Sequence, residues 1–504
     1  MIYPSRKQFR KLARQGNLIP VYREILGDLE TPVAAYLKLT QNSKYSFLLE
    51  SVEGEEKVAR FSFLAKDPEM IFKSKGRSVE LIQVKKNRVT KNQFKTMDTP
   101  LSFLREIMSR YQFVSIDGLP RFCGGLVGYI GYDTVRFFEE LPNITKDDLS
   151  LPDIVLVLAK NLLIFDHLTH KIKVVSCVDV PKGASKTRCA LAYRHATREI
   201  NRLVVQLQRP LRLKKKTRIK KPFRKTLKIR SNFSEAQFKK IVQEAKKDIR
   251  AGEIIQTVLS QRFKMKIRTD PLNIYRTLRS LNPSPYMYYL NFDEIRIIGS
   301  SPEMLVRCEN GIVETRPIAG TRPRGASEKE DQALSQELLH DPKEKAEHIM
   351  LVDLGRNDLG RVCEQGTVKV SDFMLIERYS HVMHIVSNVV GTLKPQKDMF
   401  DVLAAAFPAG TVSGAPKIRA MEIIEKLERI KRGPYAGCIG YFGFSGNLDT
   451  CITIRTIVAK NNLAYIQAGA GIVADSNPRK EYFETINKAK AQIAAIELAH
   501  KHLE

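Results

Sequence analysis

Cys451-Ile452-Thr453-Ile454-Arg455-Thr456-Ile457-Val458-Ala459 is a run of β-branched and apolar side chains with one arginine inside it. Its length and β-branched content read as a buried strand rather than a helix. An arginine in that setting needs an anionic partner, supplied by the protein or by a ligand. Outward from this run, residues 464–468 and 295–299 have the same strand character. Tyr45-Ser46-Phe47-Leu48-Leu49 and Ile154-Val155-Leu156-Val157-Leu158 carry it into the N-terminal part. The spacing of apolar residues predicts helices over 235–251, 342–354, 399–406, 418–427 and 479–497, the first with Ser234 as N-cap and Gly252 as its stop. No repeat at solenoid periods is present. The chain therefore reads as a mixed α/β or α+β enzyme: an N-terminal region 1–208, a basic linker 209–232 and a larger domain 233–504.

With 504 residues, 43% of them hydrophobic and 27% charged, the chain can bury a sizeable core. No apolar run approaches the ~20 residues that span a bilayer, and Met1-Ile2-Tyr3-Pro4-Ser5-Arg6-Lys7 leads into polar sequence rather than a signal core. The expectation is a soluble protein of a cytoplasm or an organelle stroma, with no membrane partner. Seven cysteines, odd in number and never in a CxxC pair, argue against a disulfide framework or a zinc knuckle and for small reduced core residues. The formal charge of +28 would attract any anion, nucleic acid included. Its densest run lies between Arg209 and Arg230 and holds Lys214-Lys215-Lys216 and Lys220-Lys221, with Phe223 as the interleaved aromatic. Base-stacking platforms need aromatics beside the charge, so this run reads as a solvated linker and a nucleic-acid site is disfavoured.

Two predicted helices set carboxylates at i,i+3: Glu344 with Glu347, and Glu481 with Glu484, the latter followed one turn on by Lys488. Facing each other, they could hold a divalent cation, and oxygen-only ligation suits magnesium better than zinc. Exposed, ion-paired helix faces are the plainer alternative. Three glycine turns expose backbone N–H groups able to hold a carboxylate or phosphate: Ile318-Ala319-Gly320-Thr321, the segment from Ala409 to Lys417, and Ala468-Gly469-Ala470-Gly471. Each alone is more often a tight turn, and Pro416 and the wrong Gly-to-Lys spacing exclude a nucleotide-binding loop from the middle one. His384, one turn from His381, reads as a packed histidine, a metal pair or a catalytic base.

In this order these pieces resemble the chorismate-utilising enzymes, from about Leu48 to Ala491. The matching stretches include Gly124-Gly125, Asn282-Pro283-Ser284-Pro285-Tyr286-Met287, Ser301-Pro302-Glu303, Thr315-Arg316-Pro317-Ile318-Ala319-Gly320-Thr321, Glu347-His348, Arg356-Asn357-Asp358, Pro408-Ala409-Gly410-Thr411 and Asn487-Lys488-Ala489. The resemblance implies an α+β fold whose large antiparallel sheets form a sandwich with helices packed outside. Two positions separate its branches. Relatives that add water carry a lysine where this chain has Gln256, and relatives that make aminodeoxychorismate carry one where it has Ala319. That leaves the anthranilate-forming branch, where ammonia attacks directly; the aminodeoxychorismate branch is the nearest alternative.

The resemblance further implies magnesium held by Glu347 and Glu484, with Glu344 and Glu481 close by, binding the ring carboxylate of chorismate. Arg455, Tyr435 and the N–H groups of Gly469, Ala470 and Gly471 would hold the enolpyruvyl carboxylate, with Gly320, Thr321 and Lys488 around the substrate. Glu303 would act as general acid, His384 as base, and Thr411 would join them as a catalytic residue. A separate glutamine amidotransferase subunit would supply ammonia. Leu49 and Ser51, with Pro285, Tyr286 and Met287, would form an allosteric pocket for L-tryptophan as feedback inhibitor.

Overall fold

The computed structural model describes residues 1–51, 60–85, 88–211, 227–379 and 382–502. Much of the basic run, and His381, lie outside them. Among the described residues the strands assemble into a 13-stranded and a 12-stranded sheet, every strand pair antiparallel. The first runs, edge to edge, Ile2–Tyr3, Leu18–Leu26, Lys171–Asp179, Asn161–Asp166, Phe61–Lys66, Tyr45–Glu50, Tyr286–Phe292, Ile295–Ser301, Thr456–Lys460, Leu463–Ile472, Gln256–Lys266 and Arg230–Ser231, with Gly414–Ala415 beside Gln256–Lys266. The second runs Ile318–Pro323, Val382–Thr392, Ile312–Thr315, Met304–Glu309, Leu448–Ile452, Cys438–Gly443, Gly125–Ile130, Ile154–Ala159, Met70–Lys75, Ser78–Lys85 and Arg88–Lys95, with Lys369–Arg378 beside Val382–Thr392.

One apolar core fills the space between the sheets: Tyr129 of the second meets Phe292 of the first, and Phe63 of the first meets Tyr441 of the second. A separate core lies on the outer face of the first sheet, under the helices Lys186–Gln208, Pro271–Leu281 and Pro478–His502. The helices Pro342–Gly360 and Met399–Ala406 pack on the second sheet. This is the expected α+β sandwich with outer helices. All seven cysteines are free and buried. Both sheets take strands from residues 1–208 and from 233–504; Tyr45–Glu50 pairs with Tyr286–Phe292, and Gly125–Ile130 with Cys438–Gly443.

Local signals place the helices well. Ser234 caps Glu235–Arg250 through a capping box with Gln237, and Gly252 follows at φ +80°. Met399–Ala406 matches the sequence reading at both ends. The run 451–459 does not form one strand. Leu448–Ile452 belongs to the second sheet and Thr456–Lys460 to the first, and the chain crosses between them at Thr453-Ile454-Arg455, with Arg455 at φ +52°. Non-local bonds hold the break: Thr453 N–H donates to the Gly437 carbonyl (2.9 Å), Ala436 N–H to Thr453 (3.0 Å) and Ser300 N–H to Arg455 (3.2 Å).

A candidate active site where the chain crosses between the sheets

A second crossover lies beside the first. Ile295–Ser301 in the first sheet passes through Pro302-Glu303 into Met304–Glu309 in the second. The Glu303 carbonyl accepts from Ile452 N–H at 3.0 Å and the Ser301 hydroxyl donates to the Ile452 carbonyl at 2.7 Å, so the two crossovers are tied together. Burial pushes the Glu303 carboxyl up to about 7, with the Thr411 hydroxyl and the Lys488 ammonium pulling the other way. Thr411 sits in the one-turn helix Gly410–Val412, its buried Oγ1 near enough to the Glu303 carboxyl to act on it but, among the described residues, without a partner at full hydrogen-bonding geometry.

Thr456–Lys460 pairs with Leu463–Ile472 only as far as Ile466, because the chain leaves the sheet at Arg455. Residues 468–472 keep their partner on the other side, where Gly469 faces Ser260 and Gly471 faces Val258. In an antiparallel strand alternate N–H groups point to opposite neighbours, so part of the Gly469-Ala470-Gly471 backbone faces the open edge. Tyr435, Arg455 and Lys488 border that edge. A Cβ on Gly469 would stand 2.6 Å from the Tyr435 oxygen, so the glycine is what allows this approach. Arg455 Nη1 donates to the Lys488 carbonyl (2.7 Å), and Lys488 Nζ donates to the Gly469 carbonyl (3.1 Å) and pairs with Glu484 (2.6 Å). Burial lowers the Arg455 guanidinium, with Tyr435 and Glu484 raising it, and among the described residues no carboxylate pairs with it. Glu484 acts on the guanidinium without pairing with it.

His384 lies on Val382–Thr392, with Nδ1 2.9 Å from the Gly320 carbonyl and 3.1 Å from the Thr321 hydroxyl. A carbonyl only accepts, so the Nδ1 that meets it carries the proton and Nε2 holds a lone pair. Burial lowers this imidazole; the Gly320 bond raises it, Arg455 lowers it and Glu377 raises it. The result is a neutral base at ordinary pH.

The carboxylates divide. Glu344 pairs with Arg322 at 3.3 Å and Glu484 with Lys488, the ion-paired faces that spacing alone left open. Glu347 and Glu481 are different: burial raises both, Glu344 adds to it at Glu347 and Glu484 at Glu481, and Lys488 and Lys343 relieve each only in part. Gln256 Nε2 reaches Glu347 Oε1 at 3.4 Å. No three acidic, histidine or cysteine side chains stand at metal-ligating distance among the described residues. Glu347 and Glu481 each feel Lys343 and Lys488, so the two helices bring their carboxylates into one field, and the four oxygen-donor side chains Glu344, Glu347, Glu481 and Glu484 are of the chemistry that suits a hard cation.

Leu49, Ser51, Pro285, Tyr286 and Met287 line a single cavity away from these groups. Its wall comes from both sheets, with Phe63 from the first and Arg307, Tyr441, Asp449 and Cys451 from the second. Tyr286 donates to Asp449 at 2.9 Å, and Arg121 and Arg307 pair with Asp449 at 3.2 and 3.4 Å. Among the described residues Ser51 Oγ is buried there without a partner, as is Oε1 of Glu50, whose other oxygen takes bonds from Tyr275 and from Arg279 at 3.1 Å. Sequence reading missed Asp449 and Arg307; Arg307 follows the apolar Met304-Leu305-Val306, a weaker form of the signal that singled out Arg455, whereas Asp449 stands between Asn447-Leu448 and Thr450 with no such signal. It treated Gln256 as a branch marker and not as a neighbour of Glu347.

Residues 44–494 match the chorismate binding enzyme family. The chain belongs to that family. It is 49% identical to anthranilate synthase component 1 of Acetivibrio thermocellus over 99% of both chains, and 49% identical to the Aquifex aeolicus protein of the same name, again over 99% of both. The crystal structure of anthranilate synthase component I from Streptococcus pneumoniae is 39% identical and superposes at TM-score 0.74 over 93% of this chain and 99% of that one. The menaquinone-specific isochorismate synthase of Escherichia coli, 20% identical over 97% and 98% of the chains at TM-score 0.67, shares the fold. In this chorismate-binding enzyme Glu303 and Arg455 lie on the two crossovers, Lys488 bonds the Arg455 side chain through its carbonyl, and Gly320 and Thr321 gather around His384. No helix among the described residues is long and apolar enough to cross a membrane.

Proposed function

We propose that this chain is the chorismate-binding subunit of an anthranilate synthase, converting chorismate and ammonia into anthranilate and pyruvate. The observation that carries the reading is end-to-end likeness to proteins of that name, joined with Gln256 and Ala319 where other branches carry lysines. Neither side chain can act as a base or nucleophile, which leaves ammonia as the attacking group.

Arg455, Tyr435 and the open-edge N–H groups of 469–471 hold the enolpyruvyl carboxylate. Glu347 and Glu484, with Glu344 and Glu481 near, hold magnesium, which when bound supplies positive charge for the ring carboxylate. Holding it at Glu484 requires Lys488 to release that carboxylate. Ammonia adds at C2 as the C4 hydroxyl departs as water with the proton of Glu303, and the new ammonium group sheds its surplus proton to solvent. His384 Nε2 then takes the C2 proton as the C3–O bond breaks, the ring becomes aromatic, and the departing enolpyruvate takes up a proton to become pyruvate. The Nδ1 bond to Gly320 fixes the tautomer this requires.

A glutamine amidotransferase subunit supplies the ammonia, and L-tryptophan occupies the cavity at Ser51 and Tyr286, where the unpartnered Ser51 hydroxyl suits a polar guest. Such binding regulates through the sheet arrangement rather than by competition for the substrate pocket.

The purified chain, given chorismate, magnesium and ammonium buffer, is expected to produce anthranilate fluorescence and pyruvate in equal amounts. Amination without pyruvate would reassign it to aminodeoxychorismate synthesis. No turnover by folded protein would overturn the reading and favour a nucleic-acid role for the basic excess.

A further inference from the structure

Glu303 must be reprotonated in every cycle, yet its carboxyl is buried. Behind it, away from the open strand edge, a cavity of about 40 Å³ runs between the second sheet and the helix Pro342–Gly360. That is room for about three or four waters at the roughly 10–15 Å³ each needs. Glu303 and Thr411 line it together with Leu351, Leu354 and Gly410. Asp358 lines it too, paired with Lys417 Nζ at 2.7 and 2.8 Å. The wall at Gly410 is apolar and close-packed: a Cβ on Gly410 would stand 2.7 Å from Leu354 Cδ1. Among the described residues the buried Thr411 Oγ1 has no protein partner at full hydrogen-bonding geometry.

We propose that this cavity is the proton path to Glu303, with Asp358 the acid that relays protons from solvent and Thr411 the hydroxyl that passes them inward through water. The inference rests on the reading of Glu303 as general acid. When the C4 hydroxyl leaves, it takes the Glu303 proton and departs as water, so the carboxylate is one proton short. Thr411 donates its hydroxyl proton to that carboxylate and accepts one from the cavity water, and Asp358 restores the water from solvent. No electrons move and no co-reactant is needed beyond solvent protons. Burial raises the Asp358 carboxyl against the pull of Lys417, which favours a group that exchanges protons over one held permanently ionised. Asp358 and Thr411 are thereby positioning residues for proton supply, and Asp358 touches no substrate.

The test uses the full chain with ammonium as nitrogen source, comparing Thr411→Val, Thr411→Ser and Asp358→Asn with the parent. Thr411→Val and Asp358→Asn are expected to lower kcat at least about tenfold, within the span of a lost proton-transfer group. The KM for chorismate stays unchanged and the solvent deuterium isotope effect on kcat rises. Imidazole or acetate added as a small proton donor restores a large part of the rate, and Thr411→Ser behaves as the parent. Loss of rate with a raised KM, no added isotope effect and no rescue would overturn the path and leave these side chains as packing. If Asp358→Asn unfolds because Lys417 loses its partner, the Val and Ser pair at Thr411 decides alone. An inactive parent chain would instead overturn the functional reading, so the two failures are distinguishable.

Discussion

Replacing Glu303 by glutamine should make the protein a worse enzyme and a more stable one, by amounts the structure sets. The carboxyl stands at about 7 against an ordinary 4.5 because it is buried. At 1.36 kcal/mol per pH unit that difference is about 3 kcal/mol held against its ionised form. A group raised in the folded state lends its stability below the unfolded value, and the contribution is lost as pH rises through the folded value. Parent and Glu303→Gln should therefore match in stability near pH 4.5 and diverge as pH rises to about 7, the variant ending up to about 3 kcal/mol ahead. Every other carboxylate titrates alike in both proteins, so the difference isolates this one. Turnover should fall ~10²–10⁴-fold with the proton donor gone. Urea unfolding at a series of pH values, with anthranilate fluorescence on the same samples, reads both. A variant no more stable than the parent above pH 7, or one that keeps its turnover, would refute the reasoning.

The pH profile of kcat/KM for chorismate, at constant free ammonia, should rise through the lowered His384 value, below the usual 6.5, and fall through about 7 as Glu303 ionises; His384→Gln should remove the acid limb. Arg432→Met should cost about 3–5 kcal/mol in urea unfolding, because it strands Glu428, which pairs with Arg432 at 2.7 Å with both side chains 2% exposed; adding Glu428→Gln should recover most of it. Ser51→Ala and Asp449→Asn should weaken tryptophan inhibition at least about tenfold while leaving uninhibited turnover intact, as steady-state inhibition curves would show. Glu347→Gln should raise the magnesium concentration needed for half-maximal rate, measured by titration, by about tenfold or more.

Much of this was legible in sequence because it rests on local chemistry. The box at Ser234 and Gln237 starts a helix wherever it occurs, and the apolar spacing of Met399–Ala406 fixes its face. The five residues expected around one pocket do meet there, because Met287 pairs with Glu50 in adjoining strands. The break inside 451–459 was not legible. Thr453 and Arg455 have ordinary strand propensity, and what turns the chain is bonding to Gly437 and Ser300, residues remote in sequence or in the other sheet. The division of the four glutamates was hidden for the same reason. Spacing puts Glu344 and Glu347 on one face, but Arg322, from another element, decides which is neutralised.

The strand Leu448–Ile452 has two duties at its two ends. Asp449 and Cys451 wall the cavity that separates the sheets, and one residue past Ile452 the chain begins the crossing that carries Arg455. The strand behaves as a short strut between two gaps in the same sandwich. On the proposed function, a guest that wedged the sheets apart at Asp449 would shift the strut along its length and carry the guanidinium beyond its far end with it. Inhibitor and substrate would then contend for the spacing of two layers, not for any atom in common, and a stiffer strut would transmit the signal more faithfully than a longer reach.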